Sequence, residues 1–306
     1  MKKLASSSSK PDIRRPISVF ELKGSGRPLG VPGEGLEGVW PEPPYHYLFY
    51  RKEPAGPLAG STVEAADPLV EWLKSNPGWQ LTSRYDLPYE KWQDVSAPQI
   101  SIGSFDVRFS MAREETPGRI SMHIDPGVVF GSGMHPATQG CLLAISEVFR
   151  TGKIASAVDF GTGTGVLAIA CALAGAKFVP AVDRNPLALK VAEKNIRANA
   201  VEDRIALVEA DRPGCLKIRP DLFMMNLEWP VLEKILAAEE WRNSRRVILA
   251  GFLESRINEV ERFATPEFVL DNVIEREGWP TVVLRTANCE PGRAKHQGRR
   301  EQRTEL

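Results

Sequence analysis

The stretch "VDFGTGTGVLAIACALAGA", Val158–Ala176, decides the fold. The residues "SAVDF", ending at Phe160, form an apolar run of strand length, and "VLAIACALAGA" reads as a helix of small residues ended by Gly175. Between them Gly161, Gly163 and Gly165 alternate with threonines. Glycines placed between a strand and a helix let a ligand approach the backbone, and the helix N-terminus offers it free N–H groups. A tight glycine turn in a ligand-free α/β domain is the plain alternative.

The spacing selects the ligand class. A dinucleotide fingerprint reads G-x-G-x-x-G/A, whereas Val166 occupies its final position here. Asp159 stands just before the first glycine, where its charge would repel a pyrophosphate and attract a cation. S-adenosyl-L-methionine carries a sulfonium and an ammonium and no phosphate, so it suits this loop. Asp183 ends the next strand, "FVPAVD", eighteen residues after Gly165, where a carboxylate can accept both hydrogen bonds of a ribose diol. Asp211, at the end of "RIALVEAD", is a candidate contact for the adenine amine. Asn226 closes the fourth strand, "DLFMMNL", while Asp221 caps or starts it. An asparagine oxygen at the carboxyl edge of the sheet can accept a hydrogen bond from an amine and orient its lone pair.

Outward from the loop, strands and helices alternate. "NPLALKVAEKNIRANA" is a helix with Pro186 in its first turn, and "RRVILAGF" is a further strand. "FVLDNVIEREGWPTVVLRT" reads as two strands with a short turn, an antiparallel finish. This rhythm predicts an α/β fold with a doubly wound, Rossmann-like, mainly parallel sheet. Together with D-x-G-x-G-x-G and Asp183, the antiparallel last strand points to a class I methyltransferase.

Towards the N-terminus the composition changes. Residues 17 to about 60 are rich in Gly and Pro, with a strand at Tyr45–Tyr50 and a capped helix over Asp67–Ser75 that Asn76-Pro77-Gly78 stops. Ile100–Met111 alternates like one strand. The expected division is a disordered tail (1–16), a smaller N-terminal α+β domain (17–95), a linker with a strand (96–117), the catalytic domain (118–287) and a mobile, mildly basic tail (288–306). Trp72, Trp79, Tyr85, Tyr89 and Trp92 either pack in a core or line a partner surface.

Composition narrows the partners. The 306 residues carry 39 basic and 39 acidic side chains, so bulk charge suggests no nucleic-acid requirement. No run approaches the roughly 18 apolar residues of a membrane span. The N-terminus starts positively but has no apolar signal segment. Cys141, Cys171, Cys215 and Cys289 make no CxxC pair, which fits reduced thiols in a cytoplasmic protein. His123 and His135 lack metal-ligand spacing, so no metal is expected. His135 precedes Pro136 and should shape a helix start, whose first turn presents the hydroxyl and N–H of Thr138 to the donor's carboxylate.

The stretch before that helix carries a resemblance. Asp125-Pro-Gly-Val-Val-Phe-Gly-Ser-Gly-Met-His-Pro-Ala-Thr138 is similar to the D-P-G-x-x-F-G-T-G-x-H-P-T-T motif of the methyltransferases of ribosomal protein L-eleven. "VDFGTGTGVLAIACALAGA", "DLFMMNLEWPVLEKI", "AGFLESRINEVERF" and "EREGWPTVVLRT" resemble further segments of that family, over residues 118 to 286. Ser132, Met134, Ala137, Thr162, Thr164 and Glu228 depart from its pattern, and residues 17–95 share no recognisable motif with it. The resemblance implies S-adenosylmethionine contacts at Thr138, Gly161, Asp183 and Asn226, with Asn226 also near the acceptor nitrogen. It also implies an N-terminal domain that docks a ribosomal protein. The expected activity is N-methylation of lysine or N-terminal amino groups of that protein by a monomeric enzyme. A small-molecule methyltransferase, or a noncatalytic protein that senses the donor, are the alternatives. Methyl transfer needs a neutral amine, and deprotonating a lysine of ordinary pKa at pH 7 costs about 4–5 kcal/mol. Asn226 would orient that amine and not act as its base.

Overall fold

A computed structural model describes residues 17–33, 35–42, 44–51, 68–87, 99–109, 116–127, 129 and 133–287. Both expected tails, Tyr89, Trp92 and Cys289 lie outside the described residues. Strands β1 (Ile17–Lys23), β2 (Leu36–Glu42), β3 (Tyr45–Arg51) and β4 (Gln80–Leu87) form an antiparallel sheet in the order β2-β3-β1-β4. Helix α1 (Pro68–Ser75) buries Leu69 and Trp72 against Phe20, Leu22 and Leu48 on one face. Trp79 packs in the same cluster, so both tryptophans serve a core. Alternation along β1 and β3 turns Val19 and its partner Phe49 to the opposite face.

Strands β5 (Gln99–Ile102) and β6 (Phe105–Arg108) form an antiparallel hairpin, and β7 (Ile120–His123) runs parallel to β6. The one strand expected over Ile100–Met111 is therefore two, because the chain turns at Gly103. Nor does this segment behave as a linker: Ile102, Phe105, Val107 and Phe109 sit in the same core as the glycine-loop helix. A short alternating run shows apolar phase but not whether a turn divides it.

The large sheet comprises β8 (Ala157–Phe160), β9 (Val179–Asp183), β10 (Ile205–Glu209), β11 (Leu222–Asn226), β12 (Arg246–Ala250), β13 (Phe268–Arg276) and β14 (Trp279–Thr286), in the order β10-β9-β8-β11-β12-β14-β13. The first five are parallel, and β14 is antiparallel to both its neighbours. This is the expected doubly wound sheet with an antiparallel finish. Helices α2 (Pro136–Thr151), α3 (Val166–Leu173), α4 (Pro186–Ala198), α5 (Trp229–Ala237) and α6 (Ile257–Ala264) lie on its faces. Separate apolar cores on the two faces bury β8 completely, which explains its lack of polar alternation. The strand order reverses between β9-β8 and β8-β11, so the carboxyl ends of β8 and β11 border the crevice where open α/β sheets bind ligands.

Candidate active site

At that crevice the backbone is shaped by glycine. Gly161, Gly163 and Gly165 all take positive φ (81°, 54° and 84°), which glycine adopts without steric cost. Gly165 is the N-cap of α3, with no side chain of its own to cap the helix. A Cβ on Gly161 would stand 2.3 Å from Leu227 Cδ2, and one on Gly251 would stand 2.3 Å from the Leu227 carbonyl oxygen. The segment following β11 is therefore clasped between the ends of β8 and β12. Leu227 and Gly251 carried no sequence signal beyond their places beside predicted strands.

Two carboxylates fasten the loop. Asp159 is 1% exposed, and its Oδ2 accepts from Thr162 Oγ1 at 2.6 Å and the Ala168 amide at 3.0 Å. It sits beneath the loop, and both of these bonds are to the protein. Burial raises its carboxyl from 3.8 to about 6. Asp183, at the end of β9, accepts from the Gly163 amide at 3.0 Å and the Asn185 amide at 2.9 Å. Burial raises this carboxyl also. Asn185 caps α4 by accepting from the Leu187 amide at 3.0 Å.

Across the crevice, His135 caps α2: its Nδ1 accepts from the Ala137 amide at 3.2 Å, as its place before Pro136 suggested. The ring meets Trp279 edge-on at 4.6 Å, and burial lowers its pKa. Gln139 donates to Met134 O at 2.7 Å and accepts from Arg276 at 2.6 Å, so the hairpin of β13 and β14 braces the helix start. Thr138, 2% exposed, accepts at Oγ1 from Asn226 Nδ2 at 3.1 Å, joining α2 to the end of β11. These two predicted site residues are 88 apart in sequence.

Asp211 is not drawn in. It follows β10 by two residues, its side chain is 78% exposed, and it lies 3.8 Å from Arg212 Nε. Asp221 behaves as a strand starter, with its Oδ2 accepting from the Ala155 and Ser156 amides at 2.9 and 3.1 Å. Among the described residues no cluster of three metal-ligating side chains occurs, and no helix is long and apolar enough to cross a membrane.

Residues 88–287 match the family described as Ribosomal protein L11 methyltransferase (PrmA). The chain belongs to this family. Relatives carrying the name ribosomal protein L11 methyltransferase include one from Methylococcus capsulatus (strain ATCC 33009 / NCIMB 11132 / Bath), 36% identical over 267 residues. Another, from Shewanella frigidimarina (strain NCIMB 400), is 30% identical over 274 residues. Each alignment covers 86% of this chain and 88% of the relative, so the similarity extends beyond the motifs into the N-terminal sheet. The crystal structure of a ribosomal protein L11 methylase from Lactobacillus delbrueckii subsp. bulgaricus shares the fold. It has a TM-score of 0.56 and 23% identity, covering 62% of this chain and 99% of that one. As a member of the family, the protein is an enzyme, a protein methyltransferase.

For this methyltransferase the geometry has a direct chemical reading. Asn226 gives an amide hydrogen to Thr138, which orients the side chain and leaves Oδ1 as its acceptor. Asn226 closes β11 at the carboxyl edge of the sheet, and Leu227 after it packs against Gly161 of the glycine loop. An acceptor there favours an N–H donor and cannot itself take up a proton at neutral pH.

Proposed function

We propose that this methyltransferase transfers methyl groups from S-adenosylmethionine to amino groups of ribosomal protein L11. The observation that carries this reading is Asn226, fixed by Thr138 at the end of β11 and followed by the leucine that packs on the glycine loop. The fit of the donor rests on the loop. Side chains are excluded where Gly161 meets Leu227, and buried carboxylates stand where phosphates would be repelled. When bound, the donor supplies an activated methyl on a sulfonium.

Each residue has a stated part. Gly161, Gly163 and Gly165 let the donor approach the backbone, and Thr138 and the start of α2 receive its carboxylate. Asp183 keeps lone pairs free after binding Gly163 and Asn185, enough to accept from a ribose diol. Asp159 contributes a negative charge from beneath the loop, and any adenine contact of Asp211 would come from the rim. Asn226 accepts from an N–H of the acceptor amine and so points the amine's lone pair towards the methyl. Positioning is most of what the protein must supply, since the activated donor carries the chemistry. The N-terminal sheet docks the protein substrate.

Tritiated-methyl labelling of a lysate from cells lacking the enzyme tests the substrate, with the purified protein added back. Label should appear in L11, and Asn226→Ala should cut its rate by about 100-fold while weakening donor binding far less. Label confined to small molecules would overturn the protein substrate, and an unchanged Asn226→Ala rate would remove Asn226 from the mechanism.

A further inference from the structure

Asn195 lies on α4 and is 1% exposed. Its Oδ1 accepts from the Asp125 amide at 2.9 Å, and its Nδ2 donates to the Asp125 carbonyl at 2.9 Å. The same Nδ2 donates to the Thr164 carbonyl, also at 2.9 Å. One side-chain amide thus ties the stretch leading to α2, at Asp125, to the glycine loop, at Thr164. The neighbourhood is close-packed: a Cβ at Gly165 would lie 3.3 Å from Ala192, and one at Gly127 would lie 3.1 Å from Val191.

Asn199, one turn further along, provides an internal comparison. It accepts from the His123 amide at 2.8 Å and donates to the His123 carbonyl at 2.7 Å, the same cyclic pairing. Its remaining bond goes to Asn195 O at 2.7 Å, within its own helix, and it has no bond to the glycine loop. The two asparagines therefore offer equal chemistry to the stretch 123–125, and one of them alone reaches the loop.

We propose that Asn195 is a positioning residue for the methyl donor. It holds the Asp125 wall and the glycine loop at a fixed separation, so the donor pocket exists before the donor arrives. Ordering backbone at the moment of binding costs affinity, and a prepaid geometry removes that cost. This rests on the donor reading given above.

The test compares Asn195→Leu with Asn199→Leu, near-isosteric changes that remove the polar atoms from each. Titration calorimetry with S-adenosylhomocysteine and steady-state kinetics with both substrates are the readouts. Asn195→Leu should raise the donor Kd and KM about tenfold, with kcat at saturation within about twofold. Asn199→Leu should lower thermal stability similarly and leave donor affinity unchanged. Equal affinity in Asn195→Leu and wild type overturns the proposal, as does a parallel loss in both variants that tracks their melting temperatures. Absence of binding by the wild type overturns the donor reading itself and the proposal with it. Should Asn195→Leu not fold, amide exchange in the wild type decides. S-adenosylhomocysteine should slow exchange at Asp125 along with Gly163 while His123 stays unchanged, and an indifferent Asp125 amide overturns the proposal.

Discussion

Burial raises the Asp159 carboxyl to about 6 even though Thr162 and the Ala168 amide both bond it, so desolvation outweighs the two hydrogen bonds. The folded protein therefore takes up a proton near pH 6 that the unfolded chain takes up only near its ordinary 3.8. Asp159 thus favours the fold fully below about pH 4, and that contribution is lost as pH rises through about 6. Wild-type stability should fall by about 3 kcal/mol relative to Asp159→Asn between those limits. Urea unfolding of both proteins across that window measures it, and parallel profiles would refute the assignment. The charge that costs stability at neutral pH is the one that would favour the proposed cationic donor. Sequence showed the residue and its sign, while its position beneath the loop depended on the turn at Gly161–Gly165 and on α3, whose Ala168 amide reaches back.

Among the elements, α2 depends on close approach to the sheet. A Cβ at Gly140 would lie 2.2 Å from Thr281 Oγ1 on β14, so the helix rests on the strand through a missing side chain. Gly140→Ala gains about 1 kcal/mol of helix propensity, but overpacking costs about 1–3 kcal/mol. The expected net effect is a lower melting temperature. Adding Thr281→Ala removes the nearest clashing atom and should recover part of the loss by calorimetry. If the double variant is no more stable than Gly140→Ala, the contact is not the cause. Displacing α2 would also move Thr138, and with it Asn226, so methyl transfer should fall in step with stability. Nothing in "PATQGCLLAI" marks Gly140 for this use, because a glycine inside a helical pattern looks merely tolerated until the opposing strand is known.

For the molecule as a whole, α4 is shared. Its Leu187, Ala188 and Val191 pack with Val129 and with Val19 and Phe49 of the N-terminal sheet, and a Cβ at Gly38 would stand 2.2 Å from Leu187. The same helix carries Asn195 and begins beside Asp183, so the expected docking sheet and the proposed donor pocket rest on one element. Truncating Phe49 to alanine should cost about 3 kcal/mol and raise the protein-substrate KM while leaving donor Kd unchanged. Denaturation and initial-rate kinetics check this, and an unaltered protein-substrate KM would argue against a docking role for the sheet. Sequence by itself determined the alternating elements, the glycine loop, the strand-end residues Asp183 and Asn226, the cap at His135 and the family motif. Those properties are local: periodicity, turn chemistry and residue type at a strand end or helix start are set by neighbours in the chain. Tertiary structure alone decided that Gln99–Arg108 is a core hairpin, that Asp211 stays on the rim, and that Asn195 joins wall to loop. Each of these depends on which distant backbone comes within hydrogen-bonding or packing distance, as Thr138 and Asn226 do across 88 residues. Periodicity along a chain carries no record of such distances.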